Sequence, residues 1–185
     1  MKLEITTQPT GTTLLPLSTA KEFLRVDHSD EDITITALIN AAVQHCQDYT
    51  NRHFVDSVFT LSLDDFYNCE FSTGPINTIT GVTYKDVANA TQTLPAAKYW
   101  YDTKREPGRI HFDSPPDAYD DDFNVVTISG TLGAAPAEPV LHAVKLLVAH
   151  YYENRRAVII GVHNPIQLPL GVAALLNPYR IISTK

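Results

Sequence analysis

Apolar positions along the chain change period twice. From Ser18 to Arg52 they recur at helical spacing. The segment Ser18-Thr19-Ala20-Lys21-Glu22-Phe23-Leu24 predicts a short helix, with the Ser18 hydroxyl placed to cap free backbone N–H groups. Ile35, Leu38, Ile39, Ala42, Cys46 and Tyr49 then predict one apolar stripe on a helix over 30–51. Ser29 or Asp30 is its expected cap, Glu31 and Asp32 suit the positive end of its dipole, and Asn51-Arg52 ends it.

Between Ser57 and Leu132 the period shortens. Residues 58–63, 76–85, 98–102, 109–112 and 123–130 predict five strands, with a bend or bulge at Gly81. The third and fourth flank Thr103–Gly108, whose Pro107-Gly108 pair predicts a hairpin loop. Helical spacing returns at Pro139, where Val140, Val144, Leu147, Val148 and Tyr151 predict a helix running to about Arg155. Pro169–Leu176 predicts a last short helix, stopped by Asn177-Pro178, and Tyr179–Lys185 reads as a free tail.

The order helix, helix, strands, helix, helix predicts an α+β fold. In it the N- and C-terminal helices pair as a small bundle and the antiparallel β region is an insertion. The expected partition is 1–56 for an extended arm and the first helices, 57–134 for the β subdomain, and 135–185 for the last helices and tail.

Composition narrows the class without naming a function. With 185 residues, 44% apolar and 19% charged, the chain is long and apolar enough to bury a core. No apolar run has the roughly 18 residues of a membrane span, and Met1–Gly11 lacks the apolar region of a secretory signal. Cys46 and Cys69 match no zinc or redox spacing, so Cys46 is expected as a buried thiol in a reducing compartment. The formal charge of −7 argues against a basic nucleic-acid binder. It is uneven: residues 1–140 hold 9 basic and 20 acidic residues, whereas 141–185 hold five basic residues and Glu153 alone. An acidic body with a basic end predicts self-association or docking on a charged partner.

No catalytic constellation stands out. Asp113, Asp117, Asp120, Asp121 and Asp122 lie among prolines without the EF-hand glycine or terminal Glu, so a solvated loop is expected. His150 and Glu153 stand three apart on a helix, but no second His/Glu unit completes a dimetal site. Neither GxSxG nor a phosphate loop occurs. Tyr99-Trp100-Tyr101 sends Trp100 to one sheet face and both tyrosines to the other. The acidic surroundings favour packing over a stacking platform for nucleic acid.

Two stretches taken together carry a resemblance. The first is Leu17–Asp27 (LSTAKEFLRVD) with Asp30-Glu31-Asp32 after it. The second is Val140–Arg155 (VLHAVKLLVAHYYENR), followed by Leu168-Pro169 and Pro178-Tyr179-Arg180. In this order they resemble the head–tail connector (adaptor) proteins of tailed bacteriophages, in the longer form with a β insertion. The resemblance implies a virion structural protein, forming a ring of about twelve copies under the portal. It implies no cofactor, metal or catalysis. The implied partners are the protein itself, the portal, and head-completion or tail-side proteins. DNA would pass through the lumen without specific binding, and no membrane is involved. The implied location is the head–tail junction, assembled in the bacterial cytoplasm. Within that frame the charge split points to Arg155 and Arg156 as interface residues, and the tail Tyr179, Arg180, Ile181 and Ile182 is expected to reach toward the portal. The competing readings are a metal-dependent enzyme using His111, Asp113 and the carboxylates at 120–122, and a nucleic-acid-binding packaging factor.

Overall fold

The apolar stripe of the long N-terminal helix becomes α3, Asp32–Thr50, which buries Ile35, Ile39, Ala42, Val43 and Cys46. Its partner is α4, Glu138–Glu153, with Val140, Ala143, Val144, Leu147 and Val148 inward. Both stripes repeat at three and four residues, so each helix offers one continuous face and the two faces close on each other. The computed structural model describes residues 2–7, 9–119, 122–155 and 170–182.

Three shorter helices complete this helical unit: α1 (Gly11–Leu14), α2 (Leu17–Leu24) and α5 (Leu170–Leu176). Leu15, Ala20, Val172 and Leu176 join the same core. Gly11 lets α1 approach α3 closely. Its N–H donates to Asn40 Oδ1 at 2.8 Å, and a Cβ there would stand 2.9 Å from the same oxygen. The expected N-caps differ. Pro16 precedes α2 and Glu31 precedes α3, neither with a side-chain cap, while Ser18 lies inside the first turn of α2. Asn51, at φ 54° in the left-handed region, terminates α3.

The β region folds as two sheets, built from more strands than the five expected. With β1 (Lys2–Thr7), β2 (Ser57–Leu63), β4 (Ile76–Lys85), β5 (Thr91–Thr93) and β8 (Val126–Leu132), the larger runs β1-β2-β8-β4-β5. The smaller contains β3 (Cys69–Glu70), β6 (Tyr99–Asp102) and β7 (Arg109–Phe112), in the order β3-β7-β6. Every pairing is antiparallel. The β6–β7 hairpin and its loop lie where the sequence puts them, and register shifts in β4 between Ile76 and Thr78 and between Ile79 and Gly81 supply the expected bulge. The last strand starts later than expected, at Val126 instead of Phe123.

The sheets share one core of Phe59, Leu61, Leu63, Phe71, Val82, Ile110, Ile128 and Leu132. Gly130 of β8 is enclosed by it: a Cβ would meet the Thr78 carbonyl oxygen at 2.3 Å and Phe59 Cε1 at 2.8 Å.

The chain divides into a β unit of Met1–Pro9, Val55–Ala134 and Ile181–Lys185 and a helical unit of Thr10–Phe54 and Ala135–Arg180. This departs from the partition 1–56, 57–134 and 135–185 at both chain ends. The expected arm supplies β1, paired along β2 from Lys2↔Ser62 to Thr7↔Val58. The expected free tail is folded as far as Ile181, which is 3% exposed.

Candidate assembly surfaces

Of the expected interface residues, Arg155 is engaged within the helical unit. Just past the end of α4 its guanidinium donates to Glu31 Oε1 and lies 4.6 Å from the centre of the Tyr152 ring. The Tyr152 hydroxyl donates to the other Glu31 oxygen. That hydroxyl first, then Arg155, holds the Glu31 carboxyl below its ordinary value of 4.5. Glu31 stands directly before α3, so the triad links the start of α3 to the end of α4. Arg156 lies outside the described residues.

The tail is positioned by α3. A 3₁₀ turn at Asn177–Tyr179 follows α5; Tyr49 donates to Asn177 Oδ1 at 2.6 Å, and Arg52 Nε donates to the Tyr179 carbonyl. Arg180 is exposed, its guanidinium carbon 5.4 Å from the centre of the Tyr49 ring. Ile181 turns inward beside Gly74 of the β unit, where a Cβ would stand 3.4 Å from Ile181 Cδ1. Ile182 is 74% exposed. Arg180 and Ile182 are thus accessible to a partner; Ile181 is a packing residue and Tyr179 a half-buried strut.

On the β unit the smaller sheet has a polar outer face. Trp100 sits opposite His111 and Asp102 opposite Arg109 in the β6–β7 register, so all four share that face. The Trp100 and His111 rings stack with centres 4.2 Å apart. Two ion pairs flank them, Arg109–Asp102 at 3.7 Å and Arg105–Glu70 at 3.2 Å. Trp100, His111, Asp102, Arg109 and Glu70, with Asn68, Cys69 and Ile110, line an open hollow of about 470 Å³. Trp100 is 55% exposed, so it packs at the rim of the sheet, on His111, and not in the core.

The acidic positions serve loop structure. Asp122 pairs with Lys85 at 2.6 Å and accepts from its neighbouring Phe123 N–H, and these contacts lower its carboxyl below the ordinary 3.8. Asp64 accepts the Asn124 N–H at 3.0 Å. Asp113 and Asp117 are exposed, while Asp120 and Asp121 lie outside the described residues. His111 faces Trp100, and His150 interacts with Asn154. Among the described residues, no three His, Cys, Asp or Glu side chains form a group able to hold a metal. Both thiols are free, and burial pushes Cys46 up to about 12 and Cys69 up to about 11. At neutral pH they stay protonated and poorly nucleophilic.

What these surfaces offer is contact: exposed aromatic and charged side chains on rigid sheet and helix ends, as in a structural assembly protein. The model of the head completion protein family matches residues 13–182, and the chain belongs to that family. Its role is that of a head–tail connector, a structural component of the virion. No individually curated protein matches. Among solved structures, the fold is similar to a chain of the virion of a native gene transfer agent particle, at 24% identity and TM-score 0.80. It is also similar to chains of the neck of the native particle computed with C12 symmetry (23%, 0.76) and of the empty particle computed with C6 symmetry (21%, 0.76). Each alignment covers 100% of this chain and 98% of the other.

Proposed function

We propose that the protein forms a closed ring beneath the portal, provides the platform on which later head-completion or tail proteins assemble, and leaves a lumen through which DNA passes without specific binding. The observation that carries this reading is the end-to-end fold match, together with the family match over 13–182. The C6 and C12 symmetries stated for the similar necks make rotational closure the natural arrangement. The work is geometric: a head-to-tail contact repeated with a fixed rotation closes on itself and needs no catalysis or cofactor. A net charge of −7 keeps the protein from holding DNA electrostatically. Assembly takes place in the bacterial cytoplasm before the tail joins.

The portal-facing element in this reading is the end of the chain, where Arg180 and Ile182 are exposed. Tyr49 and Arg52 hold the turn that leads to that end. Mass by light scattering across concentration, with and without a purified portal ring, tests the ring. A species of about six or twelve copies is expected; a monomer that ignores the portal at high concentration overturns the reading. For the docking end, the double variant Arg180→Glu with Ile182→Ser spares Ile181 and the fold. It is expected to lose portal affinity, and unchanged affinity refutes the assignment.

A further inference from the structure

We propose that the ring contact is a knob and a socket on the β unit, with Phe123 of one copy seated against Trp100 in the hollow of the next. The proposal rests on the ring reading and names the surface that would close it.

The knob is an aromatic side chain held in water. Phe123 is 77% exposed, yet the loop carrying it is pinned. Its own N–H is accepted by Asp122, Asp122 pairs with Lys85, and the next N–H, from Asn124, is accepted by Asp64. Asn124 sits at φ 58°, which fixes the turn. A large apolar side chain on a pinned loop pays little ordering entropy on docking, the character of an interface anchor.

The socket is the outer face of the smaller sheet. Its hollow of about 470 Å³ exceeds the volume of a phenyl ring and lies within the range of ligand-sized sites. Trp100 presents an aromatic surface there for edge or offset stacking. Charge follows the same division. Residues 98–112, the β6–β7 hairpin with Lys98 beside it, hold Lys98, Lys104, Arg105 and Arg109 against Asp102 and Glu106, a net of 4 − 2 = +2 that the neighbouring Glu70 reduces to +1, in a unit whose net charge is −6. Phe123 is flanked by exposed Asp122 and Asp64, with Asp65 next along the chain. Arg105 and Arg109 are half-exposed despite their ion pairs, and a guanidinium has five N–H donors, enough to receive a second carboxylate.

The two patches share no residue. The socket is a sheet face, and the knob lies on the loop that enters β8. A contact between different patches is heterologous, so every copy gives one knob and takes one, and the chain of contacts closes into a ring when the rotation between neighbouring copies divides the circle, as the ring reading requires. A second copy is therefore the occupant that fits both patches.

Trp100→Ala and Phe123→Ser test this without threatening the fold, because both side chains are exposed; circular dichroism and Tm are expected to match the parent. The parent ring, alone or on the portal, is the control. Each variant is expected to need a protein concentration about tenfold higher or more to assemble. Mixing them is the sharper test. The Trp100→Ala copy still has a knob and the Phe123→Ser copy still has a socket, so an equimolar mixture is expected to give capped pairs and no ring. Trp100 is the single tryptophan. Its emission is expected to shift to the blue when the parent assembles and to stay unshifted in Phe123→Ser. Full rings from either variant overturn the proposal and leave the ring reading intact. So do rings that form normally but fail to bind the portal, which would assign the hollow to another partner. A parent that makes no ring under any condition overturns both readings.

Discussion

In the helical unit the charged and hydroxyl side chains meet one another. Glu31 holds Tyr152 and Arg155, Lys21 reaches Asp32 at 2.6 Å, Tyr49 reaches Asn177, and Arg52 reaches the Tyr179 carbonyl. Its sequence carries 7 basic and 8 acidic residues, close to neutral. The β unit has the same 7 basic residues against 13 acidic ones, a net of −6. It also carries seven of the nine large apolar side chains exposed among the described residues, Trp100 and Phe123 with them; Phe23 and Ile33 are the two on the helices. The helical unit's charged side chains are largely paired with one another, whereas among the described residues the β unit keeps more aromatic surface in solvent, Trp100 and Phe123 included, and a larger excess of carboxylates. On the ring contact proposed above, the difference would put the contact between copies in the β unit and leave the helices mainly as scaffold.

The largest perturbation of that contrast is Gly130→Val. Any Cβ there collides with the Thr78 carbonyl and the Phe59 ring, so the larger sheet must open. A loss of about 3 kcal/mol or more is expected. Trp100 emission and near-ultraviolet dichroism report the β unit, and a variant that keeps the parent's denaturation midpoint contradicts the packing described.

Next comes Leu147→Ala in the helical core, where the side chain is 1% exposed. The expected cost is about 2–5 kcal/mol. The helical signal should melt earlier. Chemical denaturation followed by far-ultraviolet dichroism and by Trp100 emission decides whether the two units unfold separately or as one.

A smaller effect follows from His53. Burial lowers its pKa below 6.5, with Asp48 opposing, so the folded state favours the neutral ring. The depressed value means that its stability contribution is complete above pH 6.5 and is lost as pH falls from there toward the folded value. Helical stability should therefore decline on the acid side of pH 6.5, and His53→Gln should flatten that slope. An unchanged slope between Tm and pH removes His53 as its source.

The smallest is Arg155→Glu. It faces a second carboxylate toward Glu31 and loses the guanidinium that helps hold it. A modest fall in Tm is expected, because the pair is exposed to solvent and screened by salt. The fall should shrink as pH drops below 4.5 and Glu31 takes up a proton, since the folded carboxyl titrates below its ordinary value. A variant as stable as the parent at neutral pH would return Arg155 to the list of free interface residues.

How much was legible in the sequence depended on how long each apolar pattern ran. α3 and α4 are each more than four turns long with one buried stripe, and both were readable to within two residues. The β6–β7 hairpin was readable from its turn residues. β5, Thr91–Thr93, is exposed at every position and has no alternation to find. β3 is two residues long. β1 contributes only Leu3 and Ile5 to the core, and becomes a strand because β2 offers it an edge. The charge split was present in the sequence but misleading as a guide to Arg155, because folding brings the acidic start of α3 to the basic end of α4. Phe123 read as the start of a strand. The ladder begins at Val126 instead, and the ring is left in solvent.

Each unit is stitched from separate pieces of chain, and this sets an order on synthesis. When β8 emerges from the ribosome, β1, β2 and β4 are already present, and the larger sheet can close. The stripe of α3 must by then have waited some eighty residues for α4. Until Val140 and Leu147 arrive, Ile35, Ile39 and Val43 have only the short α1 and α2 segments to pack on, and the nascent chain carries a partly covered apolar helix of the kind that holding chaperones bind. Arg180 and Ile182, the accessible residues beyond α5, are made after α4. A chain cut short anywhere in α4 would own a knob and a socket without a finished scaffold, and quality control would meet it before any ring did.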